Sequence, residues 1–321
     1  MKNTTIAIVG AGMIGRGWAI VFARAGCRVQ VHDSSPEALA ACLARLPQDL
    51  AELQAHGLLD EVPATIAARV HGCATLAQAL DGAALAQENV RETLDAKRAI
   101  FAAMDAAAAP ETVLASSTSW IQASAFSEGL AGRARMLVGH PVNPPHLVPL
   151  VELAPAPCTD AAVLERAQAL YAAAGQVPVR VRKEIWGFLL NRIQGVVINE
   201  ALNLYEQGYA SAEDLDHVMK DGLALRWSFM GPFETIDLNA PEGVLDYARR
   251  YGPSLKTLAE SVAPNAWDEA TLARLQADRR AMLPQEDIAA RSRWRDQRLI
   301  ALLAHRRDCN TPPAPTTEGE A

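Results

Sequence analysis

Two rhythms of apolar residues divide the chain. Up to residue 185, short β-branched runs alternate with alanine-rich stretches, the pattern of a parallel sheet covered by helices. The runs at 5–9, 28–32, 112–115 and 136–139, with a later pair at 147–153 and 177–181, read as strands. Helices are expected at 13–25, 36–56, 93–106 and 160–174. Beyond Gly187 the strand pattern stops, and Leu189, Ile193, Val196, Val197, Ala201, Leu204 and Tyr205 recur at helical spacing. Further helices are expected at 211–219, 241–251, 254–262, 266–276 and 286–306. The fold class is therefore α/β, with an N-terminal doubly wound domain over 1–185 followed by an all-helical domain over 186–309. Residues 310–321, rich in Pro, Thr and Glu, read as a disordered tail.

Composition narrows the class of partner. Half of the 321 residues are hydrophobic, enough to bury a core. The 37 acidic residues against 30 basic ones give a net charge of −7 and would repel a phosphate backbone, so nucleic acid is not an expected partner. No apolar stretch approaches the roughly 20 residues of a spanning helix, which sets membranes aside as well. The N-terminus runs from Met1 directly into the strand-like Ile6-Ala7-Ile8-Val9, leaving no room for a targeting leader. Five scattered cysteines, Cys27, Cys42, Cys73, Cys158 and Cys309, form no CxxC pair. They read as reduced thiols of a cytoplasmic protein, with no metal site expected.

The first candidate chemistry lies in Gly10-Ala11-Gly12-Met13-Ile14-Gly15, a G-x-G-x-x-G turn between an apolar strand and a helix. Gly10 allows the tight turn, Gly12 lets the backbone approach a pyrophosphate, and Gly15 lets helix and strand pack closely. The phosphates would rest on the positive end of that helix, beside Met13 and Ile14. The second strand ends at Asp33, eighteen positions after Gly15, where a carboxylate accepts hydrogen bonds from an adenosine ribose. Both features together predict a Rossmann-type domain. Asp33 would repel a 2′-phosphate and no arginine directly follows it, so the cofactor is expected to be NAD and not NADP. Asp33 could instead cap the turn Ser34-Ser35-Pro36.

A second constellation follows the strand ending at Gly139: His140-Pro141-Val142-Asn143-Pro144-Pro145, and then Glu152 twelve residues after the histidine in another apolar strand. Neighbouring strands could present the two side chains to each other. A carboxylate beside an imidazole fixes its tautomer and raises its basicity, which suits removal of a hydroxyl proton at neutral pH. On spacing alone, His140 also fits a packed core residue and Glu152 an edge charge.

These segments, together with Ser116-Ser117-Thr118-Ser119, Val151-Glu152-Leu153, Gly187-Phe188-Leu189-Leu190-Asn191-Arg192 and Gly231-Pro232-Phe233-Glu234-Thr235, resemble the 3-hydroxyacyl-CoA dehydrogenase superfamily. The likeness is greater to its lambda-crystallin branch, whose enzymes are L-gulonate 3-dehydrogenases, and Ala290-Arg-Ser-Arg-Trp294-Arg-Asp296 extends it towards the C-terminus. The resemblance implies His140 as base, Glu152 as its orienting partner, and Ser119 and Asn191 as hydrogen-bond donors to the reacting oxygen. It places Glu92 and Lys97 on the nicotinamide half of the cofactor and makes Asn143 another contact there. Ser119 and Asn191 could instead cap helices, and Glu92 and Lys97 could be exposed helix charges. Two positions depart from the wider family: Trp120 after Ser119, where a smaller residue is usual, and Trp186 before Gly187. They either shape a substrate pocket or fill core.

The resemblance implies NAD-dependent oxidation of a 3-hydroxyl group, and the family's pairing through its helical domain implies a homodimer. The charge pattern speaks to the substrate. A CoA carrier needs Lys or Arg for its phosphates, yet Ser34 to Val62 holds only Arg45 against Glu37, Asp49, Glu52, Asp60 and Glu61. Arg226, in Leu225-Arg226-Trp227, is placed to grip a carboxylate with two hydrogen bonds, or is simply an exposed helix-end charge. The expectation is a small free 3-hydroxy acid such as L-gulonate, with a carnitine-type acid or a 3-hydroxyacyl-CoA as alternatives. A cofactor-binding structural protein of the crystallin kind is the reading from a different class.

Overall fold

The computed structural model describes residues 1–309. The first unit comprises Met1–Asn191 together with the segment from Ser292 onward, and the second comprises Arg192–Arg291. In the first, β1 (Thr5–Val9), α1 (Met13–Arg24), β2 (Arg28–His32), α2 (Pro36–Ala55), α3 (Pro63–Ala67), β3 (Val70–Gly72), α4 (Leu76–Leu80) and β4 (Ala83–Glu88) form one half of the sheet and its covering helices. The other half is α5 (Leu94–Ala107), β5 (Val113–Ser116), α6 (Ala123–Ser127), β6 (Met136–Pro141), β7 (Leu150–Pro155), α7 (Ala161–Ala173) and β8 (Val177–Arg180).

The eight strands are ordered β3-β2-β1-β4-β5-β6-β7-β8. Alternate residues of each strand feed two cores, as a sheet covered on both faces requires. Ile6 and Ile8 join Trp18, Phe22, Leu50 and Tyr171 on one face, while Ala7 and Val9 join Phe101, Phe126 and Phe188 on the other. The chain order reverses between β1 and β4, the switch point at which a doubly wound sheet opens a crevice.

Two features differ from the sequence reading. Strands β3 and β4 were not expected: β3 has three residues, and β4, Ala-Ala-Leu-Ala-Gln-Glu, carries no β-branched residue to distinguish it from a helix. The sheet is also not wholly parallel, because β7 returns antiparallel to β6 through a short proline-rich connection.

The second unit takes α8 (Leu190–Glu206) from Arg192 on, then α9 (Ala212–His217), a π-helical turn at Val218–Leu223, α10 (Ala224–Trp227), α11 (Pro232–Leu238), α12 (Val244–Ser261) and α13 (Glu269–Met282). Inside it, Tyr205 donates to Asp278 at 2.6 Å and Asn203 donates to the Ala263 carbonyl at 2.8 Å. The two helices expected around Pro253 are one, α12, which carries that proline internally.

The last helix, α14 (Ile288–Cys309), shows why the division is not a single cut at 185/186. Ile300 is 3% exposed and belongs to the first unit's core, with Leu299 and Leu303 packed against it. Arg307 donates to the Gly57 carbonyl at 3.1 Å and to Asp60 at 2.5 Å. Chain beyond Ser292 thus returns to the sheet domain. The tail expected over 310–321 lies outside the described residues.

Candidate active site

The turn after β1 is built for close approach. Gly10 has φ +97°, and a Cβ there would meet the Asn89 backbone at 2.8 Å. At Gly15 a Cβ would lie 1.9 Å from the Gly10 carbonyl oxygen, so α1 can pack on the turn only with glycine in place. A Cβ on Gly12 would meet nothing within 4 Å, because that position faces the open cradle where pyrophosphate is expected. Gly12 is the N-cap of α1 and makes no side-chain cap, leaving first-turn N–H groups for an anion. The groove beyond, about 550 Å³, is lined by Gly10, Gly12, Asp33, Asn89 and Val90 among others. Met13 is 57% exposed and lines the neighbouring cavity with Arg16 and Asn143, while Ile14 is packed against the core. These residues fit a dinucleotide.

Asp33 holds the turn as well as facing the groove: its oxygens accept from the Ala11 N–H at 2.7 Å and the Ser35 N–H at 2.9 Å. Its two roles are compatible, since each carboxylate oxygen has a second lone pair.

Glu92 and Lys97 have separate fates. Glu92 accepts from the Ser119 N–H at 2.8 Å, the Trp120 N–H at 3.2 Å and the Thr118 hydroxyl, which fixes the serine-rich loop after β5. Lys97 is only 1% exposed. Its ammonium donates to Glu88 at 2.8 Å and to the Val90 carbonyl at 3.2 Å, with Glu92 at 3.4 Å. It is therefore a buried support beneath the cradle and not an exposed charge. Gln87, fully buried on β4, extends the support by donating to Ser117 at 2.7 Å and to the Gly139 carbonyl at 3.1 Å, while accepting from Tyr171. Sequence reasoning missed Gln87 and Glu88 because their strand carries no β-branched residue to mark it.

The antiparallel return sets the dyad. His140 on β6 and Glu152 on β7 are direct register partners, and Nδ1 of the imidazole lies 2.8 Å from the carboxylate. Both are nearly buried, at 5% and 1% exposure. The other Glu152 oxygen accepts the N–H groups of Leu189 at 2.7 Å and Leu190 at 2.9 Å. Gly187 and Phe188 make those bonds possible with φ values of +79° and +49°; the latter is strained for a phenylalanine. The same turn sets the Phe188 ring 5.5 Å from the imidazole. Burial pushes the Glu152 carboxyl up, but the bonds from His140, Leu190 and Leu189 outweigh it and hold the carboxyl below its ordinary value. The dyad's carboxylate is thus charged at neutral pH, and it fixes which imidazole nitrogen carries the proton.

Asn191 joins this group by donating to the Ser119 carbonyl at 2.8 Å. That bond draws the start of α8 and the loop after β5 together, leaving the second amide hydrogen of Asn191 for a ligand oxygen. Asn143 is exposed in the connection after His140. Arg226 is exposed on α10 of the second unit. Trp120 and Trp186, whose role the sequence left open, are exposed and lie against each other, with ring centroids 5.0 Å apart.

A glycine turn open for a pyrophosphate, a carboxylate at the end of the second strand and an oriented imidazole define a dinucleotide-dependent dehydrogenase. Residues 5–185 match the 3-hydroxyacyl-CoA dehydrogenase NAD-binding domain, and residues 187–278 match the C-terminal domain of the same family. Rabbit (Oryctolagus cuniculus) lambda-crystallin is 41% identical, with 94% of this chain and 96% of that one covered. L-carnitine dehydrogenase of Pseudomonas putida is 33% identical, covering 93% of this chain and 92% of the enzyme. The solved structure of 5-formyl-3-hydroxy-2-methylpyridine 4-carboxylic acid 5-dehydrogenase, an NAD-dependent dismutase, superposes with a TM-score of 0.82 at 25% identity, covering 94% of this chain and 97% of that one. The chain belongs to the 3-hydroxyacyl-CoA dehydrogenase family, in its lambda-crystallin branch. It is an NAD-dependent dehydrogenase.

Proposed function

We propose that this enzyme oxidises the 3-hydroxyl of a small free hydroxy acid, with L-gulonate the substrate suggested by its branch and a carnitine-type acid the second candidate. The observation that carries the reading is the His140–Glu152 pair, 2.8 Å apart across adjacent strands and next in sequence to Asn143 and the proline-rich connection. Glu152 holds the proton on Nδ1, so Nε2 is the free base that takes the hydroxyl proton. Asn191 and Ser119 orient the oxygen that loses it and stabilise it as it becomes a carbonyl. Gly10, Gly12 and the first turn of α1 would hold the pyrophosphate of NAD, Asp33 its adenosine ribose, and Asn143 and Glu92 its nicotinamide half. When bound, NAD supplies the hydride acceptor.

The choice of a free acid over a CoA thioester rests on charge. Arg45, the only lysine or arginine between Ser34 and Val62, is already committed to Asp49 at 2.9 Å, with Glu52 at 4.0 Å. Asp49 is held by Arg16 as well, at 2.7 Å. Neither arginine is therefore free for a CoA phosphate. Arg226 is proposed as the carboxylate grip. The test is the rate of NADH formation from L-gulonate, L-carnitine, 3-hydroxybutyrate and 3-hydroxybutyryl-CoA. Higher kcat/KM for a free acid supports the proposal, and a preference for the thioester overturns it.

Two further proposals accompany this reading. The second unit exposes a set of large apolar side chains, including Ile193 at 64%, Val196 at 67%, Phe229 at 71% and Phe233 at 80%, and a homodimer would cover them. Free thiols at Cys27, Cys42, Cys73 and Cys158 support a cytoplasmic location. Equilibrium sedimentation tests the first and cell fractionation the second.

A further inference from the structure

Trp120 directly follows Ser119 and Trp186 directly precedes the Gly187-Phe188 turn, and neither fills core. Trp120 is 44% exposed and Trp186 63% exposed, whereas Trp18 is fully buried. Their rings meet at 5.0 Å with 37° between planes, making one continuous apolar surface. Both backbones are fixed. The Trp120 N–H donates to Glu92, the same carboxylate that fixes the Ser119 N–H. Trp186 follows Glu184, whose two oxygens accept the N–H and hydroxyl of Ser124 at 2.8 and 2.6 Å, and Ile185, which packs into the core. Trp186 also precedes the strained Gly187-Phe188 turn that delivers the Leu189 and Leu190 N–H groups to Glu152. The indole pair therefore spans the two segments that carry Ser119 and Asn191, which are themselves tied at 2.8 Å.

We propose that this pair is a specificity wall which selects an alkyl or aryl substituent on the carbon that bears the reacting hydroxyl. The inference rests on the free 3-hydroxy acid reading and narrows it, ranking an apolar 3-hydroxy acid above L-gulonate. The chemistry of the wall decides between classes. A polyhydroxylated chain laid on two indoles gives up water for its hydroxyls and gains only C–H contact. A quaternary ammonium gains little from aromatic faces as solvent-exposed as these. The carboxylate beside the wall, Glu92, is already engaged by Thr118, Ser119, Trp120 and Lys97. An alkyl or aryl group loses nothing on leaving water and removes indole surface from it as well.

The test compares wild type, Trp120→Ala, Trp186→Ala, the double alanine variant and the double phenylalanine variant. Substrates are (S)-3-hydroxybutyrate, (S)-3-hydroxyhexanoate, 3-hydroxy-3-phenylpropanoate, L-gulonate and 3-hydroxybutyryl-CoA, with NAD affinity measured separately. Two added methylenes should raise wild-type kcat/KM about fifteenfold from the four-carbon to the six-carbon acid. The double alanine variant should flatten that ratio to below about threefold, and the double phenylalanine variant should retain most of it. L-gulonate turned over by the wild type as well as 3-hydroxyhexanoate would overturn the proposal. So would alanine variants that lower every substrate by a common factor, or that weaken NAD binding with the chain-length ratio intact. Turnover of the CoA thioester with none of any free acid is a separate result, which removes the underlying reading itself.

Discussion

Replacing Glu152 by glutamine tests the dyad with minimal change of shape. The native carboxylate accepts from His140 on one oxygen and from the Leu189 and Leu190 N–H groups on the other, at 1% exposure. A glutamine can satisfy only one side correctly. If its oxygen keeps the two backbone N–H groups, its NH₂ faces Nδ1, which must then accept; the imidazole proton moves to Nε2 and the base is lost. If the amide flips, its NH₂ opposes the two backbone donors, and both lose their acceptor. Loss of a charge-assisted hydrogen bond alone is worth about 1.5–3 kcal/mol, or on the order of 10- to 150-fold. Reversal of the tautomer in a comparable carboxylate–imidazole pair lowers kcat by about 10⁴. The expected fall in kcat for Glu152→Gln is therefore on the order of 10²–10⁴, with NAD affinity unchanged. Because the folded carboxyl lies below its ordinary value of 4.5, its stabilising effect is complete above pH 4.5 and is lost as pH falls through the lower folded value. Glu152→Gln should abolish that part of the acid sensitivity. The assay is stopped-flow NADH formation on the best hydroxy acid, with denaturant midpoints at pH 7 and pH 4. A Glu152→Gln enzyme within tenfold of wild-type kcat would refute the orienting role.

Other residues give independent checks. Asp33→Ala should lower the ratio of kcat/KM with NAD to that with NADP; a wild type that already prefers NADP would show the end of β2 to be misread. Lys97→Met leaves the fully buried Glu88 without its ammonium and should lower unfolding free energy by about 3–5 kcal/mol, and an unchanged thermal midpoint would contradict this. His146 is held neutral, since burial lowers its pKa from 6.5 to about 4. The unfolded chain then binds the extra proton first, so stability present above pH 6.5 should decline by about 2 kcal/mol on going to pH 5. His146→Gln should remove that slope in urea titrations, and an identical slope would exclude this residue as its source. Arg226→Ala should raise KM for free acids roughly 10-fold or more. No change in KM would return Arg226 to an ordinary surface charge.

What was legible beforehand follows from the range of each interaction. The glycine turn, Asp33 and the strands at 5–9 and 28–32 are local and carry their own signature, because strand, turn and helix start lie within a few residues. His140 and Glu152 could be paired only by supposing adjacent strands, and the register of β6 with β7 makes them opposite neighbours. Gln87 and Glu88 were hidden, since their strand has no β-branched residue to mark it and their partners are 9 to 84 residues away; Lys97 was named, but its burial beneath them carried no local signal. The Leu189 and Leu190 N–H groups carry no side-chain signal at all. Gly187 alone marked the turn that presents them. The return of α14 to the sheet domain depends on Ile300 meeting that domain's core, which periodicity along the helix cannot reveal.

The most direct test is the turnover of His140→Gln on a free 3-hydroxy acid, measured together with the dissociation constant for NAD. If His140 is the base, kcat falls on the order of 10²–10⁴ while NAD binds as tightly as before. Wild-type kcat in that variant would remove His140 from the chemistry.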